Sequence, residues 1–105
     1  MKEIVYYATR DGEIPYLIWP KTLDKQVNAR ILKRLGRLLD GNYGDCKKID
    51  TDISELRFTF GSGYRVYFTE RQKVLIIIIA GGDKSSQAKE IKKAKSYIED
   101  IKERY

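Results

Sequence analysis

The chain has 105 residues, of which 42% are hydrophobic, and this length and composition predict one domain over residues 1–105 with a single core. It contains no histidine and one cysteine, which excludes histidine-based catalytic triads, histidine-ligated metals, internal disulfides and cysteine zinc clusters. The 21 basic and 15 acidic residues give a net charge of +6, which favours an anionic partner such as nucleic acid.

The first predicted elements are a strand and an amphipathic helix. Residues 3–8 are rich in Ile, Val and Tyr and precede an Asp-Gly turn, which predicts a strand. Thr22 is a suitable N-cap for a helix over residues 22–39, and Gly41 suits a left-handed stop after it. The apolar positions recur at helical spacing: Leu23, Val27, Ile31, Leu35 and Leu38.

The segment after this helix is rich in turn-forming residues. It predicts a loop over residues 41–48 that carries Lys47 and Lys48. Residues 53–60 and 64–69 then alternate between apolar and polar side chains, and the Gly-Ser-Gly between them predicts a hairpin.

A three-residue hairpin loop sets the predicted register. It places Arg57 opposite Tyr67 and Thr59 opposite Arg65, with the large apolar side chains on the other face. The sequence therefore predicts that two arginines and one tyrosine converge on one face of the sheet.

The last two elements are a buried strand and a helix. Residues 74–80 are apolar at every position, which predicts a central strand covered on both faces. Ser85 or Ser86 is the predicted cap of a helix with apolar positions Ile91, Ala94, Ile98, Ile101 and Tyr105. The whole order predicts an α+β fold: a four-stranded sheet, an N-terminal helical region and a C-terminal helix, with one sheet face partly open.

No membrane segment is predicted. The N-terminus lacks an apolar stretch of signal-peptide length, and residues 74–80 are too few to cross a bilayer. A lone Cys46 fits a small apolar filler in a reducing compartment. We therefore expect a cytoplasmic location.

The central helix is the most basic part of the chain. Residues 21–40 carry six basic and two acidic side chains, and Arg30, Arg34 and Arg37 form a stripe along the helix. Such a stripe suits RNA phosphates, an acidic protein partner or simple solvation.

Arg57, Arg65 and Lys84 are the candidate catalytic cations. Guanidinium groups grip phosphate oxygens with two donors and stay charged at every relevant pH. Lys84 follows the buried strand at the entry to the last helix, where an anion is favoured. The alternatives are ion pairing of the arginines with Glu55 or Glu70 and an exposed position for Lys84. Tyr67 is the aromatic residue expected to face the site.

Two segments carry a family resemblance. The run ELRFTFGSGYRVYF and the later LIIIIAGGDKSSQAKEIKKA resemble the RelE-like toxins of type II toxin–antitoxin modules, in particular the HigB-like branch of phage-associated addiction module killer proteins. The resemblance implies a compact α+β toxin that enters the ribosomal A site and cleaves mRNA in the cytoplasm. It implies neutralisation by a cognate helix-turn-helix antitoxin and is compatible with a toxin–antitoxin heterotetramer.

The resemblance also implies the chemistry. The substrate 2′-hydroxyl is the nucleophile, and neither metal nor cofactor is expected. By resemblance, Arg65 matches the strand arginine of the family and would bind the scissile phosphate. Lys84 falls where a relative has a second cationic residue, and Arg57 would be a further contact to the same phosphate.

The RelE tyrosine of the last helix has no counterpart in SSQAKEI, so the general acid is left open between four residues: Tyr67, Lys47, Lys48 and Glu90. Lys47 and Lys48 join the helix arginines as predicted RNA contacts. The alternative functions are a ParE-like toxin that acts on DNA gyrase without cutting RNA and a non-catalytic binding module. The antitoxin is expected on either the central helix or the last helix.

Overall fold

The computed structural model describes residues 2–105, which form two α-helices, four 3-10 helices and a five-stranded sheet. The strands are β1 (Glu3–Tyr6), β2 (Cys46–Lys48), β3 (Ser54–Arg57), β4 (Arg65–Arg71) and β5 (Leu75–Gly82), and the helices are α1 (Lys25–Arg37) and α2 (Gln87–Arg104). The 3-10 helices are Pro15–Ile18, Pro20–Thr22, Leu38–Asp40 and Lys84–Ser86. The α+β class is confirmed.

The sheet has the order β1-β5-β4-β3-β2, with β1 parallel to β5 and the other pairs antiparallel. It has one strand more than predicted, because Cys46–Lys48 pairs with β3 as an edge strand and is not loop. The short edge strand is hard to detect in a segment dominated by turn formers.

Helices cover both faces of the sheet. On one face Ile31, Leu35 and Leu38 of the α1 region pack against Ile76 and Ile78 of β5. On the other face, three residues of α2 pack against Ile77 and Ile79: Ala94, Ile98 and Ile101. The predicted central strand is thus confirmed, whereas the predicted open face is wrong. A strand that is apolar at every position requires burial on both sides, and two amphipathic helices supply it.

The hairpin register differs from the predicted one by two residues. Leu56 lies opposite Val66, and Arg57 lies opposite Arg65. The connection between the two strands spans residues 58–64. The Phe58 amide donates a hydrogen bond to the Tyr64 carbonyl at 3.1 Å, and this bond closes the seven-residue loop. A shift by an even number preserves the faces, so Arg57 and Arg65 still share one.

A β-bulge interrupts β5 just before the end of the strand. Tyr67 pairs with Ala80, whereas Phe68 pairs with Ile78, so Ile79 is the extra residue. Ile79 and Ala80 consequently both face α2. Such a bulge bends the strand, and this one precedes Gly81 and Gly82 at the candidate site.

Aspartate side chains supply the capping hydrogen bonds at the start of both helical segments. Asp24 accepts a hydrogen bond from the Gln26 amide at 2.8 Å and is the N-cap of α1, whereas the Thr22 hydroxyl donates to the Trp19 carbonyl. Before α2, the Asp83 carboxylate accepts from the amides of Ser85 and Ser86. The cap of α1 thus lies at Asp24 and not at Thr22, whereas Ser86 is the N-cap residue of α2 as predicted, although its side chain makes no capping hydrogen bond to α2. The left-handed stop at Gly41 is confirmed by its φ of 76°.

The β4–β5 turn offers a test of backbone strain. Gln72 and Lys73 both have positive φ, 54° and 64°, and the Val74 amide donates to the Arg71 carbonyl at 3.2 Å. Asn-Gly is the preferred pair for such a turn. Gln72→Asn combined with Lys73→Gly is therefore expected to raise the free energy of unfolding by about 1 kcal/mol. Urea unfolding measures it, and a lower stability of the double variant would contradict this turn geometry.

Candidate anion-binding site

The site starts from one row of residues across the sheet. Arg57 of β3 lies opposite Arg65 of β4, which lies opposite Gly82 of β5. Cross-strand neighbours point to the same face of a sheet, so both arginine side chains lie on the face covered by α2. The convergence of the two arginines is thus confirmed, although their partners across the hairpin differ from the predicted ones.

A buried carboxylate joins the two arginines. Arg57 donates from Nε to Oε1 of Glu55 at 2.9 Å, and Nε of Arg65 lies 3.7 Å from the same oxygen. Glu55 has no exposed surface. The alternative of an ion pair with Glu55 is confirmed, while the one with Glu70 is wrong because Glu70 pairs with Lys2 at another part of the sheet.

The second oxygen of Glu55 accepts two further hydrogen bonds, from the Tyr67 hydroxyl at 3.0 Å and from Nε2 of Gln87 at 2.7 Å. Burial alone would raise the pKa of the Glu55 carboxyl, but hydrogen bonds, led by that from Arg57, outweigh it and hold the pKa below its usual value. Glu55 is therefore an ionised anchor that links β3, β4 and α2.

Tyr67 does not face the surface, contrary to the prediction. Its side chain is fully buried, and burial together with the Glu55 charge raises the pKa of its hydroxyl well above the usual value. A buried, un-ionised phenol makes no contact with a ligand at the surface. Tyr67 instead holds the Glu55 carboxylate in place.

Lys84 lies next to Arg65. Nη1 of Arg65 donates to the carbonyls of Gly63 at 3.0 Å and Tyr64 at 3.2 Å, and the Lys84 side chain packs against Gly63 on the same loop. Lys84 is exposed and, within residues 2–105, forms no ion pair. Arg57 keeps 34% and Arg65 keeps 15% of the side chain exposed. Arg57 and Arg65 thus share one buried carboxylate, and Lys84 beside the hairpin loop adds an exposed cation.

The two lysines of β2 point in opposite directions. Lys47 lies opposite Glu55 and is exposed on the face of the arginine pair, whereas Lys48 lies opposite Ser54 on the other face. Lys47 therefore extends the cationic surface, and Lys48 does not.

The helix stripe divides into one structural and two exposed arginines. Arg34 donates to the carbonyls of Arg57 and Asp45, and burial lowers its pKa. Arg30 stacks on the Phe60 ring with its guanidinium carbon 3.7 Å from the centroid, and Arg37 is exposed. Together with Lys33 they line a cleft of about 330 Å³ on the α1 side. This cleft and the arginine pair lie on opposite faces of the sheet.

A known protein family covers all of the candidate site. The family model of phage-derived Gp49-like proteins (DUF891) matches residues 19–105, which include every residue of the site. The chain belongs to the Gp49-like family. This family is associated with toxin–antitoxin modules.

A protein of Haemophilus influenzae described as uncharacterized is 43% identical to this Gp49-like chain over 81 residues, which cover 77% of the chain and 82% of the relative. The predicted toxin–antitoxin relationship is confirmed at this family level. The finer RelE-like and HigB-like assignment stays a prediction.

In this Gp49-like protein the site is suited to bind an oxyanion. Arg57 is fixed by Glu55, and Arg65 is fixed by the carbonyls of Gly63 and Tyr64, so these donors need little rearrangement when a phosphate binds. Among residues 2–105, no three acidic or cysteine side chains come together as a metal site. None of the helices in the same range is both long and apolar enough to cross a membrane.

One member of the Gp49-like site was missed from the sequence. Gln87 lies 32 residues from Glu55 along the chain, and no local pattern connects them. Glu55 itself shares a strand face with Arg57, so the alternation of β3 already placed the two together.

Proposed function

We propose that this Gp49-like protein is the toxin of a type II toxin–antitoxin module and a metal-independent endoribonuclease that cleaves mRNA on the ribosome. The observation that carries the proposal is the adjacent pair Arg57 and Arg65, held by one buried carboxylate and flanked by the exposed Lys84. Two guanidinium groups side by side suit the negative charge of a phosphodiester. The sequence resemblance to RelE-like toxins supports the same chemistry.

The reaction would start from the substrate itself. The 2′-oxygen attacks the neighbouring phosphorus, the bond from phosphorus to the 5′-oxygen breaks, and a 2′,3′-cyclic phosphate and a 5′-hydroxyl form. The proton of the 2′-hydroxyl passes to a base, and an acid protonates the leaving oxygen. Arg57, Arg65 and Lys84 would bind the non-bridging oxygens, whose charge increases in the transition state.

The structure narrows the choice of proton carriers. Tyr67 is buried, and Lys48 lies on the other face. Lys47 and Glu90 remain on the face of the arginine pair. Direct proton transfer would fall to one of these two residues or to water.

One observation favours the second candidate function, a ParE-like toxin that acts on DNA gyrase. Glu55 already pairs with both arginines, as expected of a cluster that only stabilises the fold. In that case the site needs no phosphate, and the protein target contacts another surface.

Expression in cells without an antitoxin separates the two functions. The nuclease predicts growth arrest with transcripts cut inside translated reading frames, and purified gyrase keeps its supercoiling activity. The gyrase toxin predicts intact transcripts and loss of supercoiling. Co-expression of a helix-turn-helix protein encoded beside the gene is expected to restore growth.

The exposed arginines of α1 give a salt-dependence prediction. Arg30 and Arg37 are the exposed members of the stripe, whereas Arg34 is engaged with carbonyls. If both contact RNA phosphates, Arg30→Ala with Arg37→Ala is expected to reduce the log–log salt slope of single-stranded RNA binding by about 1.4. An unchanged slope would contradict RNA contact by these two arginines.

A further inference from the structure

A pocket of about 220 Å³ lies at the edge of the sheet beside the arginine pair. β1 ends with Tyr6 opposite Ile78, so no described strand flanks residues 80–82 of β5 on that side. The first turns of α2 and the 3-10 helices at residues 15–22 form the walls instead. The pocket is therefore open to solvent at its outer side.

One wall is apolar and fixed. Trp19 packs directly on Gly81, where a Cβ atom would lie 2.3 Å from the indole ring, so only glycine fits there. Ile18, which also lines the pocket, is 60% exposed, the highest value among the exposed large apolar side chains of the described residues. An exposed apolar side chain and an indole that line one pocket suit a ligand with a flat ring, and Gly82 connects this pocket to the row of Arg65.

The opposite wall carries a carboxylate. Within the described chain, the Glu90 carboxylate has no hydrogen-bond partner and forms no ion pair. A Cβ atom added to Gly82 would lie 3.0 Å from Cγ of Glu90, so the two residues are in close contact. Gly82 is the direct cross-strand partner of Arg65. The pocket and the anion site are thus adjacent, as the base and the phosphate of one nucleotide are.

We propose that this pocket binds a guanine base of the RNA whose phosphate occupies the arginine site. The Watson–Crick edge of guanine presents two adjacent donors, N1–H and N2–H, which fit the two oxygens of one carboxylate. Adenine, cytosine and uracil place an acceptor beside their donor on that edge, which a carboxylate repels. The inference rests on the proposed function and adds a preferred base to it.

Trp19 is the only tryptophan of the chain, so its fluorescence reports on the pocket and on the Tyr16 and Tyr64 rings beside the indole. The purified chain is titrated with the four nucleoside 3′-monophosphates and with inorganic phosphate. Guanosine 3′-monophosphate is expected to quench the fluorescence saturably and to bind about tenfold more tightly than the others, because a good two-bond contact supplies that discrimination. Inorganic phosphate is expected to leave the fluorescence unchanged.

Glu90→Gln is expected to remove the guanine preference, with about tenfold weaker guanosine 3′-monophosphate binding and unchanged binding of the adenosine nucleotide. The matched control is Glu99→Gln, an exposed acid further along α2. Equal quenching by all four nucleotides in both the wild type and Glu90→Gln would overturn the inference, as would no quenching at all.

Cleavage assays keep this inference distinct from the proposed function. If the wild type cleaves mRNA but no nucleotide quenches Trp19, the nuclease is correct and the base pocket is wrong. If guanosine 3′-monophosphate binds selectively but no mRNA is cut, the pocket is correct and the proposed function is wrong. If Glu90→Gln abolishes cleavage at every sequence, Glu90 transfers a proton and does not recognise the base.

Discussion

Arg65→Ala is expected to reduce the rate of mRNA cleavage about 10²- to 10³-fold, because it removes a fixed donor from the phosphate site. The same variant is expected to abolish growth arrest on expression. Single-turnover cleavage of a ribosome-bound message measures the rate directly. Arg65→Lys is expected to recover only part of it, since a lysine keeps the charge but lacks the planar pair of donors.

Arg65 also supports the fold, so the loss of activity needs a second variant. The Arg65 guanidinium donates to two carbonyls of the hairpin loop, whereas Arg57 is more exposed and donates to Glu55 alone. Arg57→Ala is therefore expected to retain the fold and still lose most of the activity. Arg10→Ala is the matched control, because Arg10 pairs with Asp100 and Glu103 towards the opposite end of α2. Full activity of Arg57→Ala with a folded protein would remove Arg57 from the site.

Glu55→Ala is expected to have the largest effect on stability. It leaves the Arg65 Nε without its nearest negative charge and the buried Tyr67 hydroxyl without its acceptor. The expected loss is about 3 to 5 kcal/mol in the free energy of unfolding, as for other broken buried ion pairs. Urea unfolding measures it, and Glu103→Ala, which removes an exposed carboxylate, is expected to leave the midpoint unchanged.

The same carboxylate predicts a pH dependence. The pKa of Glu55 is lowered in the folded state, so its contribution to stability is complete above the ordinary value of 4.5 and is lost as the pH falls through the folded pKa. The stability difference between the wild type and Glu55→Gln is therefore expected to be largest at neutral pH and to shrink in acid. A difference that stays constant from neutral pH to pH values well below 4.5 would contradict an ionised Glu55.

Periodicity predicted the parts of the fold that long, regular patterns encode. The apolar run of β5 and the helical spacing of α2 gave the correct element types, and the alternation of β3 placed Arg57 and Glu55 on one face. The sequence did not reveal the edge strand β2, since three residues among turn formers carry no clear period.

The parts of the site that were not predicted depend on tertiary contacts. The burial of Tyr67 follows from α2 lying on that face of the sheet, and the engagement of Arg34 follows from the path of the loop at residues 43–45. The register of the β3–β4 hairpin also differed, because the strands are joined by seven residues, whereas the Gly-Ser-Gly segment had predicted a loop of three. The shared face of Arg57 and Arg65 was robust because an even register shift preserves it.

The most direct test of the phosphate site is the chemistry of the cut ends. Purified protein is incubated with ribosomes that carry a defined message, with and without a 2′-deoxy substitution at the nucleotide before the cut. We expect a 2′,3′-cyclic phosphate and a 5′-hydroxyl from the all-ribose message, and no cleavage of the substituted message or with the Arg57→Ala, Arg65→Ala double variant. Undiminished cleavage by the double variant, or an intact message with the folded wild type, would contradict the account.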